Sequence, residues 1–123
     1  MEESSTKHDI RDLKAIVGYC DRINRSLTEF GRDEDTFWKN EVLQSACAFN
    51  LIQIGETVKN LTKRGFCKKY PDDEWSKIAR FRDIIAHQYG DIDLHIVWNT
   101  SANLMSKLKV KCETILRDLN DRS

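Results

Sequence analysis

The sequence predicts an all-α fold, an up-and-down bundle of four main helices joined by short connections. Two observations carry this expectation. One proline (Pro71) and five glycines punctuate 123 residues, so few positions force the chain out of a helix. Apolar residues also recur at three- and four-residue steps over long runs, in a chain that is 40% hydrophobic and 33% charged. A chain of this length can bury a single core, so residues 1–123 are expected to form one helical domain.

The first helix is expected from about His8 to about Phe30, with Ile10, Leu13, Ile16, Val17, Cys20, Ile23, Leu27 and Phe30 as its stripe. Gly31 ends it. Asp33 or Asp35 caps a second helix that runs to about Lys63, with Phe37, Val42, Ala46, Phe49, Ile52, Val58 and Leu61 as its apolar row. Arg64 to Pro71 reads as a connection, after which Asp72 or Asp73 caps a shorter third helix. That helix carries Trp75, Ile78, Phe81, Ile85 and Tyr89 on one side and stops at Gly90. The last runs from about Ile92 to about Leu119, using Leu94, Val97, Trp98, Leu104, Leu108, Cys112, Ile115 and Leu119. The second and fourth helices would each exceed about 40 Å at about 1.5 Å per residue. Helices that long in so small a domain favour burial against a second copy, so a homodimer is expected.

Composition narrows the function. With 20 basic and 20 acidic residues there is no overall positive field to gather nucleic acid, so any RNA contact must come from a local patch. The N-terminus lacks the apolar centre of a signal peptide, and no apolar run approaches the roughly 18 residues of a membrane span, which points to the cytoplasm. Cys20, Cys47, Cys67 and Cys112 are scattered, with neither a Cys-x-x-Cys pair nor histidines at zinc spacing. They read as small apolar residues, and neither a metal nor a cofactor is expected.

The segment Arg80 to Asp93, "RFRDIIAHQYGDID", is not explained by bundle packing alone. At about 100° per residue Arg82, Ile85 and Tyr89 share one stripe, and Asp83 lies one turn before His87, where a carboxylate can fix the imidazole tautomer. His87 falls in the last turn before Gly90, so helix dipole and Asp83 both favour imidazolium. Arg82 offers a planar fork of donors suited to phosphate. Such groups can cleave RNA without metal: a base takes the ribose 2′-hydroxyl proton, a cation steadies charge at phosphorus, and an acid protonates the departing oxygen. His8 and His95 lie elsewhere, so a single chain is short of parts, and a two-fold axis that pairs the motif would supply them. Arginine and histidine near a helix C-terminus are also favourable simply through the dipole, and residue chemistry leaves both readings open.

Arg82-Asp83-Ile84-Ile85-Ala86-His87-Gln88-Tyr89 has the form R-x-x-x-x-H-x-Y and resembles the signature of the HEPN superfamily, in particular the HepT-like toxins encoded beside a minimal nucleotidyltransferase. "LIQIGETVKNLT" (Leu51 to Thr62) and "EWSKIARFRDIIAHQYGDIDLHIVW" (Glu74 to Trp98) extend the similarity. The resemblance implies a four- or five-helix HEPN bundle, a homodimer with the motifs facing across a cleft, and metal-independent endoribonuclease activity. It implies Arg82 and His87 as the catalytic pair and Asp83 in the polar position after the arginine, where the family often has asparagine. It further implies a toxin–antitoxin system in which a partner nucleotidyltransferase transfers AMP to Tyr89. A non-catalytic HEPN module that binds nucleotide, or serves as substrate-binding partner of the transferase, is the alternative.

Outside the motif, Glu56 lies among apolar neighbours and could reach the cleft or pair with an arginine of the third helix. Lys68, Lys69, Lys77 and Arg80, with Lys63 and Arg64, could form the basic rim that RNA needs, although charge on a helix flank is commonly a solvated face. Trp75 and Trp98 read as packing residues in preference to base-stacking platforms.

Overall fold

The structure, a computed structural model, describes residues 2–85 and 92–122. Eight helices occur among the described residues: α1 (Glu2–Glu29), α2 (Glu34–Lys39), α3 (Glu41–Lys63), α4 (Phe66–Lys69), α5 (Glu74–Ala79), α6 (Phe81–Ile85), α7 (Leu94–Asn103) and α8 (Met105–Arg122). They form an all-α, HEPN-like bundle. The long helix α1 packs along α3 and α8, while α5, α6 and α7 lean on another flank of α3. One continuous apolar core links them, from Leu13, Ile16 and Ile23 of α1 through Leu51 and Ile54 of α3 to Leu108 and Cys112 of α8. No helix of the described residues is long and apolar enough to cross a membrane.

α1 starts earlier than its apolar stripe, at Glu2, because the polar residues before His8 are compatible with helix and nothing breaks it. It ends as expected at Gly31, whose φ of +78° lets its N–H bond the Thr28 carbonyl at 3.0 Å while Arg32 N–H reaches Leu27 O at 2.7 Å. Phe30 therefore falls outside the packed row and is 37% exposed.

The second helix is broken where continuity was expected. Asn40 takes extended backbone (φ −123°, ψ 99°) and its side-chain oxygen accepts from Leu43 N–H at 2.9 Å, so it closes α2 and caps α3 at once. An asparagine side chain that replaces a helical carbonyl is the usual way such a break is stabilised. Asp33 caps α2 by accepting from Thr36 N–H at 3.3 Å.

The apolar row of α3 is also corrected. Val42 and Phe49 face solvent, 75% and 57% exposed, and the buried row is Leu43, Cys47, Leu51, Ile54, Val58 and Leu61. α3 is apolar on two faces, and each large side chain buried contributes about 1.5–3 kcal/mol, so the face with six such residues takes the core. Val58 and Leu61 were expected there; Ala46 and Ile52 lie half-buried at its margin.

The Arg64–Pro71 connection contains the single turn α4, anchored by the buried Phe66. The third helix breaks at Arg80 into α5 and α6, and the last breaks at Leu104 into α7 and α8. The two helices expected to exceed about 40 Å are thus both divided, and the helix of that length is α1, with 28 residues. Asp72 accepts from Glu74 N–H at 2.9 Å at the start of α5, and Asp93 accepts from His95 and Ile96 N–H at the start of α7. Trp75, Ile78, Phe81 and Ile85 are buried as expected; Tyr89 lies outside the described residues. Cys20, Cys47 and Cys112 are free and buried, and Cys67 is free and half-buried.

Two charged contacts brace the bundle. Arg64, just past α3, bonds Asp9 at 3.0 Å and Asp12 at 2.6 Å on α1, with both carboxylates nearly buried. Burial pulls against charge on Arg64, but the hydrogen bonds to Asp12 and Asp9 outweigh it and raise the guanidinium above its ordinary range. Further along the chain, Tyr70 donates to Asp118 and Lys111 pairs with Asp72, which tie the α4–α5 segment to α8.

Candidate functional site

The site begins with a glycine. A Cβ on Gly55 would stand 3.0 Å from the Ile78 carbonyl and 3.2 Å from Phe81 Cβ, so a side chain here would push the α5–α6 junction off α3 by a few tenths of an ångström. At that junction Arg80 leaves the helix, its N–H bonding Lys77 O at 3.2 Å, and α6 restarts with Phe81. Phe81 and Ile85, four residues apart, seat α6 in the core. That seating turns Arg82 and Asp83 outward, where both are exposed.

Arg82 Nη1 meets Glu56 Oε1 at 3.2 Å, and the carboxylate sits on the α3 turn that carries Gly55. The close approach and the ion pair are therefore one construction. With 62% of the Arg82 side chain and 39% of Glu56 exposed, the pair contributes little stability and instead orients the guanidinium. One of the five N–H donors is directed at Glu56, and the remainder of the fork can address an anion. After the motif the chain returns to α6: Asp93 N–H donates to Ile85 O at 2.7 Å, which sets the start of α7 against the end of α6.

The structure thus brings Glu56 and Arg82 together, with Asp83 next to Arg82 in the chain. His87 and Tyr89 lie outside the described residues. Lys68, Lys69, Lys77 and Arg80 are all exposed, on α4, on α5 and at the α5–α6 junction. Arg64 does not join them, because Asp9 and Asp12 hold it. Trp75 is buried, with its indole N–H on Tyr70 O at 2.9 Å, and Trp98 is half-buried against Phe37, so both are packing residues.

Sequence reasoning missed Gly55, though a glycine inside a long helix is a signal for close approach. It also missed Trp38. This residue is 37% exposed on α2, and its ring lies 4.7 Å from that of His95 on α7. No local pattern announces a contact between residues so far apart in the chain.

Residues 6–115 match the family described as Ribonuclease HepT-like. A Methanocaldococcus jannaschii protein named "Putative RNase MJ0127" is 36% identical over 111 residues, covering 89% of this chain and 91% of its own. A Caldanaerobacter subterraneus protein named "Putative RNase TTE0752" is 35% identical over 105 residues, 85% of this chain and 91% of its own. A Thermococcus cleftensis protein named "Probable ribonuclease HepT" is 34% identical over 92 residues, 72% of this chain and 82% of its own. No solved structure matches the chain significantly. A helical bundle matched over this span defines the class, and the chain belongs to the HepT-like ribonuclease family.

Proposed function

We propose that this protein is a metal-independent endoribonuclease that acts as a homodimer, with Arg82 and His87 as its catalytic pair. The observation that carries this reading is Arg82, turned out of the core by Phe81 and Ile85 and oriented by Glu56 at 3.2 Å with most of its fork open. In the reaction His87 takes the proton of a ribose 2′-hydroxyl, the 2′-oxygen attacks phosphorus, and the 5′-oxygen leaves with a proton from an imidazolium. The products are a 2′,3′-cyclic phosphate and a 5′-hydroxyl. Arg82 stabilises the charge that accumulates on the phosphoryl oxygens, where preorganised donors act most strongly. Asp83, four residues before His87 in the sequence, is the carboxylate assigned to orient the ring.

One chain supplies one such pair, and two proton transfers are served best by two. Support for a second copy comes from α3, where Val42 and Phe49 are exposed seven residues apart and Glu56 follows after seven more. Seven residues are nearly two helical turns, so the three share a face. Burying that apolar face against its own image draws the two Arg82 side chains toward one cleft. Exposed Lys77, Arg80, Lys68 and Lys69 supply cations for the flanking phosphates.

The toxin–antitoxin role rests on the R-x-x-x-x-H-x-Y form of the motif. AMP added to Tyr89 by a cognate nucleotidyltransferase puts an anion within the motif that competes with RNA for Arg82. The test is incubation of the full chain with total RNA in excess chelator. Cleavage that disappears in His87→Ala and Arg82→Ala supports the enzyme, and intact RNA at high protein concentration favours a non-catalytic module. Coexpression with a minimal nucleotidyltransferase, followed by mass spectrometry of Tyr89, tests the regulation.

A further inference from the structure

Beside the catalytic pair, the geometry points to a nucleobase-stacking subsite, formed by Trp38 and His95, that holds an unpaired base of the RNA strand cut at Arg82. This inference rests on the ribonuclease reading. It begins with how Trp38 is built. Its indole N–H donates to Glu34 Oε2 at 3.2 Å, one turn back on α2, and the Phe37 ring meets it edge-on at 5.8 Å and 85°. Phe37 is itself fully buried and packs on Trp98 at 5.3 Å, so the exposed indole is mounted on the core. The His95 ring lies beside it at 4.7 Å, tilted by 58° so that the two planes splay apart, on a turn of α7 whose N–H groups are held by Asp93.

Both rings are open to water, and the one N–H donor of the indole is already engaged. What Trp38 presents is π surface in a fixed plane, which is what a base needs and what a solvated loop cannot supply.

The location suits the same strand. Asp93 is bonded to Ile85 at 2.7 Å, Arg82 lies one turn before Ile85, and His95 lies two residues after Asp93. By helical rise and chain reach the Arg82 and His95 backbones lie within about 15 Å, a distance that a few nucleotides bridge.

The test uses the full chain and an RNA oligonucleotide carrying 2′-O-methyl sugars throughout, which has no free 2′-hydroxyl to attack phosphorus and is therefore not cut. Expected outcomes are quenching of tryptophan fluorescence on binding and affinity lowered about 5- to 150-fold in Trp38→Ala, the loss that one base–aromatic stack represents. Trp38→Phe retains most of the affinity, His95→Ala weakens it less, and with cleavable RNA the Trp38→Ala defect falls on KM more than on kcat. Affinity unchanged in both alanine variants overturns the subsite, as does a wild type that does not bind the oligonucleotide. A Trp38→Ala protein that sediments at half the mass yet binds as well per chain makes the pair a protein contact and also overturns it. The two readings fail separately: binding through Trp38 without cleavage of ordinary RNA defeats the nuclease alone, and cleavage indifferent to Trp38 defeats the subsite alone.

Discussion

Arg82 and Glu56 meet at 3.2 Å across the contact between α6 and α3, twenty-six positions apart in the chain and both open to water. Exposed pairs contribute about 0–1 kcal/mol, so the pair is expected to matter for rate and not for folding. Glu56→Gln is predicted to keep the melting temperature within about two degrees of wild type. RNA cleavage slows about tenfold as the guanidinium loses its fixed direction, whereas Arg82→Ala loses about 100-fold or more. Equal melting curves with unequal rates are the expected signature; a large stability loss in Glu56→Gln would make the contact structural.

Gly55 and Gly18 separate two reasons for a glycine in a helix. A Cβ at Gly55 meets the Ile78 carbonyl at 3.0 Å, while one at Gly18 meets nothing within 4 Å. Gly55→Ala should therefore destabilise by about 1–3 kcal/mol through overpacking and shift Arg82, lowering activity as well. Gly18→Ala should stabilise by about 0.5–1 kcal/mol through helix propensity and leave activity alone. Urea unfolding of the two variants beside wild type checks both signs.

Such contrasts show which parts of the structure are written locally. The rows of α1 and α8 are legible because each helix has a single dominant apolar face. The row of α3 is not, since Val42 and Phe49 repeat at the same period as Leu43, Cys47 and Leu51, and only packing against α1 and α7 selects between them. The breaks at Asn40, Arg80 and Leu104 were missed because none carries proline or glycine. At the site, Arg82 and its pairing with Glu56 could be anticipated, because the motif names one residue and the apolar surroundings of the other ask for a cation. The Trp38–His95 contact joins α2 to α7, and no periodicity within either helix encodes it.

Arg64, by sequence a candidate for the basic rim, instead ties the C-terminal end of α3 to the N-terminal part of α1. Replacing it by methionine strands Asp9 and Asp12, which are 4% and 6% exposed. Removing one partner of a buried ion pair costs about 3–5 kcal/mol, and a site that keeps 20% of the arginine side chain in water belongs at the low end. A drop in melting temperature of roughly 10 °C is expected in Arg64→Met. Arg64→Lys should fall between, since an ammonium cannot fork to two carboxylates in the same way. RNA affinity per folded molecule stays unchanged in both.

The buried thiols predict an alkaline limit. Burial, together with their mutual proximity in the case of Cys20, pushes the Cys20 and Cys112 thiols from 9.0 up to about 12. The unfolded chain releases these protons first, so the associated stability is whole below about pH 9 and is lost as pH rises toward 12. At its steepest the loss approaches about 1.4 kcal/mol per pH unit for each thiol. Melting temperature measured from pH 8 to 10.5 in reductant should fall beyond pH 9. Cys112→Ala should start lower, because it leaves a small void, and decline less steeply. Parallel curves would remove the thiols from the explanation.

Phe49 offers the most direct test of the shared cleft. It is 57% exposed in the middle of the α3 face that runs from Val42 to Glu56, and it takes no part in the core. A charge placed there leaves the monomer's packing untouched and opposes only a contact that buries the face. In the proposed dimer two like carboxylates would meet across the two-fold axis, and each would have to lose water to do so. Phe49→Glu is accordingly predicted to keep its helical circular dichroism, to sediment at half the mass of the wild type, and to lose RNA cleavage by about 100-fold although Arg82 and His87 are intact. Mixing it with a Phe49→Lys protein should restore part of both mass and activity, because opposite charges then face one another. A Phe49→Glu protein that stays associated and active places the contact on another face of the bundle, and one that turns monomeric while cutting RNA at the wild-type rate shows that a single copy of the motif suffices.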